Sequence, residues 1–205
     1  MRVISGRAKG TKLNSIEDLS TRPTLDRVKE ALFNIVQTKI EDSIILDLFS
    51  GSGSIGIEFL SRGCKKAYLC DKSNKAVAMI HQNLEKTKLQ ENAVVLNKDY
   101  KKCLNDLSKQ NIAFDVIFID PPYKDNIAVN AVKMILSLKL LKEEGLIIIE
   151  TDEQDREIEN LKKLDIQIYD CRKYGRVNLI FLNWKGLNHG NIYFIRRIRR
   201  HIRKL

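Results

Sequence analysis

The sequence predicts an α/β protein: a doubly wound, mostly parallel sheet with an antiparallel last strand, preceded by a small hairpin and a helix. Three observations point there. After about residue 44, short β-branched runs alternate with longer segments whose apolar residues recur at helical spacing. The short runs are continuously apolar, as strands covered on both faces by crossover helices must be. A glycine-rich segment, Asp47–Gly56, stands between the first run and the first helical pattern, where a parallel βα unit makes its first turn.

Taken in order, Arg2–Ser5 and Thr11–Leu13 flank Gly6-Arg7-Ala8-Lys9-Gly10 and suit a small hairpin with a basic loop. Val28, Ala31, Leu32, Ile35 and Val36 mark one face of a helix beginning near Thr24, with Pro23 preceding it and Thr24 and Arg27 in its first turn. Strands are expected at Ile44–Leu48, Lys66–Cys70, Ala93–Asn97, Asp115–Ile119 and Leu146–Glu150. Helices are expected at Ile55–Ser61, Lys75–Lys88, Lys101–Lys109 and Val129–Leu141. The last two apolar runs, Ile166–Cys171 and Val177–Trp184, are joined by Arg172–Arg176, short enough for a hairpin. This divides the chain into an N-terminal extension (1–43), a sheet domain (44–185) and a basic tail (186–205).

Composition bounds the function classes. Hydrophobic residues at 43% and charged residues at 30% exclude a disordered or collagen-like chain. No apolar run approaches the roughly 20 residues that span a bilayer, and Met1–Ser5 does not lead into a signal-peptide core. The net charge of +10 suits a polyanionic partner. It is unevenly placed: Gly186–Leu205 holds six basic residues and no acid, leaving only +4 elsewhere. Three readings of that tail stay open: a solvated extension, a nucleic-acid arm, and a reading-frame artefact. Cys64, Cys70, Cys103 and Cys171 form no Cys-x-x-Cys pair, and His81, His189 and His201 complete no zinc spacing with them. Reduced thiols, a cytoplasmic location, no metal and a monomer are therefore expected.

The chemistry-bearing residues gather at the ends of the expected strands. Gly51-x-Gly53-x-x-Gly56 allows close approach of a ligand to backbone N–H groups at a helix N-terminus, and Asp71 ends the second strand where a ribose-binding acid belongs. A plain structural turn is the competing reading of the glycines. Asp47, ahead of Gly51, suits a ligand bearing an amine and a positive centre, such as S-adenosylmethionine, better than a diphosphate; a capping role is its alternative. Asp99 and Tyr100, just past the third strand, reach the same cleft, where the acid can accept from an adenine amino group and the phenol can pack on the ring. They also serve as ordinary helix-start residues.

Asp120-Pro121-Pro122-Tyr123 follows the fourth strand directly. Two prolines fix two φ angles and remove two N–H donors, leaving carbonyls free to accept. With Asp120 as a second acceptor and Tyr123 as an aromatic plate, the array suits a planar base with an exocyclic amino group. A bare strand-to-loop turn is the alternative.

Together, Asp47–Gly56, Asp71, Asp99 and Asp120–Tyr123 resemble the class I S-adenosylmethionine-dependent amino-methyltransferases. Arg22-Pro23-Thr24-x-Asp26-Arg27-Val28-Lys29-Glu30-x-Leu32-Phe33, the opening Met1–Gly6 and the late Lys173-Tyr174-Gly175 narrow the resemblance to the bacterial small-subunit rRNA guanine-N2 methyltransferases (the RsmD family). It covers roughly residues 1–184; the tail is not part of it. The resemblance implies that Asp47, Phe49, Gly51 and Gly53 line the methionine half of the cofactor, Asp71 holds the ribose hydroxyls, and Asp99 with Tyr100 the adenine. It further implies that Arg22, Pro23 and Thr24 close over the cleft and that Asp120, Pro121, Pro122 and Tyr123 hold the target guanine. Arg2, Arg7, Lys9 and Lys12 of the hairpin, with Arg27, would grip phosphates of 16S rRNA, naked or within an assembling small subunit.

Such an enzyme needs no metal, because the methyl group arrives activated on a sulfonium. A carboxylate of ordinary acidity is a weak base, so the amino proton has two routes, to Asp120 or directly to water. Three other functions compete: a DNA adenine-N6 methyltransferase, although the motif spacing leaves no room for a target-recognition domain; an NAD(P)-dependent oxidoreductase, which leaves Asp120–Tyr123 unexplained; and a non-catalytic RNA-binding module.

Overall fold

The computed structural model describes residues 1–15, 22–122 and 126–184. Seven strands form one sheet in the order β3-β2-β1-β4-β5-β7-β6. β1 (Ile44–Asp47), β2 (Lys66–Asp71), β3 (Ala93–Asn97), β4 (Phe114–Ile119) and β5 (Leu141–Thr151) pair in parallel. β7 (Val177–Asn183) runs antiparallel to both of its neighbours, β5 and β6 (Gln167–Tyr174). The strand order reverses between β1 and β4, and ligands of open α/β sheets bind in the crevice beyond such a reversal.

Two apolar layers cover the sheet. One is built on α1 (Arg22–Ile35), α2 (Ser54–Ser61) and α3 (Asn74–Thr87), with Val3, Ala8 and Leu13 of the N-terminal segment packed into it. The other is built on α4 (Tyr100–Lys109), α5 (Ile127–Ser137) and α6 (Gln154–Leu161). In the N-terminal segment an antiparallel bridge joins Arg2 to Lys12, and the Val3 and Leu13 N–H groups donate to Thr11 and Met1 carbonyls.

Several boundaries differ from the sequence expectation. α1 begins at Arg22 rather than Thr24, so Pro23 lies inside its first turn, where a missing N–H costs no intrahelical hydrogen bond. The helix expected at Val129–Leu141 ends at Ser137; Lys139 turns with φ +54°, and β5 starts at Leu141, five residues before the expected strand. The added length is irregular: Leu141 pairs with Phe114 and Leu146 with Val116, so residues of β5 bulge out between them. α6 has no counterpart in the expectation, because Ile158 and Leu161 are the only apolar residues among its eight and give no periodic stripe. The final hairpin is tighter than expected, since Tyr174 already pairs with Val177 across Gly175-Arg176.

Candidate functional site

A pocket of about 430 Å³ opens at the sheet reversal. It is lined by Leu48, Phe49 and Gly51 after β1, Asp71 and Lys72 at the end of β2, and Lys98, Asp99 and Tyr100 after β3. Asp120, Pro121 and Pro122 after β4, and Ile127 at the start of α5, close the other wall. The parallel sheet gathers these residues because every βα loop leaves its strand at the same edge.

The glycine loop is held by its own backbone and by two carboxylates. The Ser50 N–H donates to the Cys70 carbonyl at 2.9 Å and its hydroxyl to the Asp47 carbonyl at 2.7 Å. The Gly51 N–H donates to Asp71 Oδ2 at 2.9 Å, while Asp71 Oδ1 accepts from the Ser73 N–H at 2.8 Å. Gly51 adopts φ +53°, and a Cβ there would project into open space with nothing within 4 Å. A side chain at this position would be strained and would intrude on the cleft. At Gly56 the reason is packing, since a Cβ would lie 2.7 Å from the Leu69 side chain.

Asp47 does not line the pocket. It sits beneath the loop, fully buried, with Oδ2 accepting from the Gly56 N–H at 3.0 Å. Gly53 likewise lies under the loop, as the left-handed residue that starts α2. Asp99 caps α4, its Oδ1 accepting from the Lys101 N–H at 2.9 Å, and the rings of Phe49 and Tyr100 meet at 5.5 Å with planes tilted by 42°. Together they present an acceptor beside an aromatic wall.

Electrostatically the described part of the site is an acid cluster in which no cation is ion-paired with Asp47, Asp71, Asp99 or Asp120; Lys72 and Lys98 line the same pocket, Lys98 being paired with Asp106. Burial, then the nearby charges of Asp120 and Asp71, push the Asp47 carboxyl up to about 7, although the Gly56 N–H opposes the rise. Burial also pushes Asp120 up to about 7. This corrects the expectation of a carboxylate of ordinary acidity: burial makes Asp120 a stronger base than an exposed aspartate. Behind it, a second cavity of about 80 Å³ is lined by Asp120 together with Glu150, Phe118, Ser54, Ile55, Met1, Val28, Lys29 and Leu32. The β4–β5 register aligns Ile119 with Ile149, which places Asp120 and Glu150 side by side one residue further on.

These observations bear on what the pocket can hold. An elongated nucleoside ligand with a positive centre fits: the volume, the open glycine loop, the aromatic wall and an unbalanced acid cluster all favour it. Among the described residues no group of His, Cys, Asp or Glu has the arrangement to hold a metal ion, and no helix is long and apolar enough to cross a membrane.

The pocket thus brings together Phe49, Gly51, Asp71, Asp99, Tyr100, Asp120, Pro121 and Pro122. Tyr123 and the tail 186–205 lie outside the described residues, as do the side chains of Arg22, Pro23 and Thr24. Arg2, Arg7, Lys9, Lys12 and Arg27 are exposed. The sequence reasoning missed Lys72, Lys98 and Glu150. Lys72 follows Asp71 directly and was legible from that position; Lys98 pairs with Asp106 at 2.7 Å, a contact visible only in the fold. Glu150 ends the apolar run Leu146–Ile149, as Asp120 ends its own strand.

The N-terminal segment is bound to α2 by a different acid. Glu58 is fully buried, accepts from the Ile4 and Ser5 N–H groups at 2.8 and 2.9 Å, and pairs with Lys29 at 3.0 Å and Arg62 at 2.8 Å. Ser61 completes the joint: its carbonyl accepts from the Arg7 N–H at 2.7 Å, and its hydroxyl accepts from the Ala8 N–H and donates to the Ser5 carbonyl.

Residues 1–183 match the family described as "Conserved hypothetical protein 95". A candidate rRNA methyltransferase of Bacillus subtilis, YlbH, is 40% identical, the aligned part covering 78% of this chain and 85% of that protein. Ribosomal RNA small subunit methyltransferase D of Haemophilus influenzae is 38% identical over 74% of this chain and 79% of its own length. A solved structure of a candidate Escherichia coli methyltransferase, yhhF, superposes with a TM-score of 0.73 at 25% identity, covering 89% of this chain and 96% of that one. The chain belongs to this family, that of the small-subunit rRNA methyltransferases D, and has the class I methyltransferase fold.

Proposed function

We propose that this family member is an S-adenosylmethionine-dependent methyltransferase that methylates the exocyclic N2 amino group of a guanine in 16S rRNA. The observation that carries the reading is the convergence, in one pocket at the sheet reversal, of a nucleoside-shaped wall with the Asp120-Pro121-Pro122 corner. The names of the relatives support a small-subunit rRNA substrate; guanine and its N2 position rest on the sequence resemblance. A cytoplasmic location accords with that substrate.

When bound, S-adenosylmethionine supplies a methyl group already activated on a sulfonium. Asp71 and Asp99 would hold the nucleoside hydroxyls and the adenine amino group, with Tyr100 and Phe49 against the ring. Gly51 leaves room at the loop, and the buried Asp47 contributes negative charge beneath it. Holding the reactants in register is worth about 7–11 kcal/mol in favourable cases. Asp120 and the Pro121 carbonyl would accept from the guanine amino group while Tyr123 stacks on the base. An acceptor placed where charge develops contributes about 2.7–4 kcal/mol, by analogy with a single oxyanion-hole donor. With its carboxyl raised to about 7, Asp120 also takes the amino proton. The base must first leave its stack, costing a few kcal/mol, least in a loop or bulge.

Residues 1–43 are assigned to RNA binding and cleft closure, through the exposed Arg2, Arg7, Lys9, Lys12 and Arg27. Residues 44–185 are assigned to cofactor binding and chemistry.

The test is radiolabelled methyl transfer to 16S rRNA, to assembling small subunits and to DNA, followed by mass mapping of the product nucleoside. N2-methylguanosine in 16S rRNA is expected. Asp120→Ala should lose about 100-fold or more in rate while S-adenosylmethionine affinity, by calorimetry, stays within a few fold. Methylated adenine in DNA, or unchanged turnover in the variant, would overturn the reading.

A further inference from the structure

The functional reading leaves unused a second acid at the edge of the reaction site. Glu150 lies beside Asp120 on the neighbouring strand, and the two line the same cavity of about 80 Å³ behind the proline corner. The sheet alternation puts both on the α1 side, since Phe118 and Ile148, two residues earlier on each strand, belong to the apolar layer of α1 and α2. The rest of that cavity is lined by the apolar Val28, Leu32, Ile55 and Phe118, with Lys29, Ser54 and Met1 completing it.

Among the described residues no cation is ion-paired with either acid, although Met1, which carries the chain's amino terminus, also lines the cavity. Lys29 of α1 lines the cavity, but its ammonium is committed to Glu58 at 3.0 Å and to the Arg2 carbonyl at 3.2 Å. α2 contributes Ser54 and Ile55 to the lining, and its charged residue Glu58 is held by Lys29, Arg62 and two backbone N–H groups. From β1, Asp47 adds negative charge close to Asp120. Asp26 on α1 is paired with Arg2 at 3.9 Å. Two desolvated carboxyls that face each other with no described cation paired to either cannot both ionise cheaply.

We propose that Glu150 is a positioning residue for methyl transfer: it and Asp120 hold one proton between them, so that a single negative charge stands at the corner that receives the base. This rests on the reading of Asp120 as acceptor for the target amino group. During transfer, the nitrogen lone pair forms the N–C bond and sulfur keeps the pair of the broken S–C bond. The N–H proton passes to Asp120, and its bonding pair becomes the new lone pair on nitrogen. The pair then holds two protons and is uncharged, until one is released to water. Burial, with the Asp120 charge second, pushes the Glu150 carboxyl up to about 8, which makes Glu150 the member that keeps the resting proton at neutral pH.

Infrared pH titration of the unliganded protein reads the pair directly. A protonated-carboxyl absorbance with a component of midpoint near 8 is expected; that component should vanish in Glu150→Gln, leaving those of Asp47 and Asp120 near 7. In Asp120→Asn, where the repelling charge is gone, the upper component should shift down by about one pH unit. Persistence of the component near 8 in Glu150→Gln, or an unmoved midpoint of that component in Asp120→Asn, would overturn the proposal.

Single-turnover methyl transfer to rRNA gives the second readout. Wild type should show two inflections, near 7 and near 8. Glu150→Gln, which fixes the pair at one negative charge above the lower inflection, should keep the lower, lose the upper, and diverge from wild type by up to about 10-fold above it, the factor that one pKa unit represents. Glu150→Asp should restore both inflections, and cofactor affinity should stay within about twofold. A variant slowed equally at every pH would mark a merely structural role. If wild type transfers no methyl to RNA, the functional reading itself falls, and the role of the pair falls with it, whatever the infrared titration shows.

Discussion

Two buried acid sites lie on the same face of the sheet and are built in opposite ways. Around Glu58 every carboxylate oxygen is answered by a backbone N–H and a cation. Burial alone would raise that carboxyl, yet Lys29, the Ile4 N–H and Arg62 together hold it below the usual range. Around Asp47, Asp120 and Glu150 the donors are few and no described cation is ion-paired with them, and all three carboxyls are pushed up to about 7 or 8. A satisfied acid fixes structure; an unsatisfied one is left for a ligand or a proton to complete. The contrast separates a structural joint from the proposed reaction site.

Breaking the joint should have the largest effect. Glu58→Ala leaves Lys29 buried with its charge uncompensated and two N–H groups without acceptors, so denaturant unfolding should show a loss of about 3–5 kcal/mol. A loss under about 1 kcal/mol would mean that the apolar packing of Val3, Ala8 and Leu13 suffices on its own. Gly6→Ala attacks the same joint sterically. Gly6 has φ +82°, and a Cβ there would lie 1.9 Å from the Ser61 carbonyl oxygen. Overpacking of this kind costs about 1–3 kcal/mol, checked by the same unfolding series. Weakened RNA binding in Gly6→Ala with cofactor affinity unchanged would sharpen the separation of the two regions.

The reaction site should answer to pH more gently. A carboxyl with a raised folded-state value favours folding most when protonated, so its contribution is complete at low pH and is lost as pH climbs from the ordinary aspartate value of 3.8 through about 7. The melting temperature of the unliganded protein should therefore fall across that window. Asp47→Asn, which retains an oxygen to accept from Gly56, should flatten the fall by on the order of 1 kcal/mol. A slope of the opposite sign in wild type would show that the cluster finds its cations in solution.

Much of the fold was legible because it is written locally. Ile44–Leu48 and Ala93–Asn97 announce strands by unbroken apolar runs, and the glycines after Asp47 announce a tight turn. The Asp120-Pro121-Pro122 corner is legible for the same reason, its rigidity being a property of the dipeptide. What escaped depends on topology. Glu58 meets Ile4 and Ser5 across more than fifty residues of chain. Glu150 becomes chemically interesting only when β5 is laid beside β4, and nothing within Leu146–Thr151 signals the neighbour. α6 escaped because its single buried turn leaves almost no apolar periodicity, and the early start of β5 because Lys142-Glu143-Glu144 does not resemble a strand.

The joint at Glu58 and Ser61 has a geometric corollary. α2 springs from the glycine loop and ends against the N-terminal segment, so the two are separated by one rigid rod of eight residues, about 12 Å long. A polyanion gripped at the N-terminal end is then held at a set offset from the loop at the other. On the proposed function, such a molecule would select its nucleotide partly as a caliper does, by the span between where it clamps and where it works.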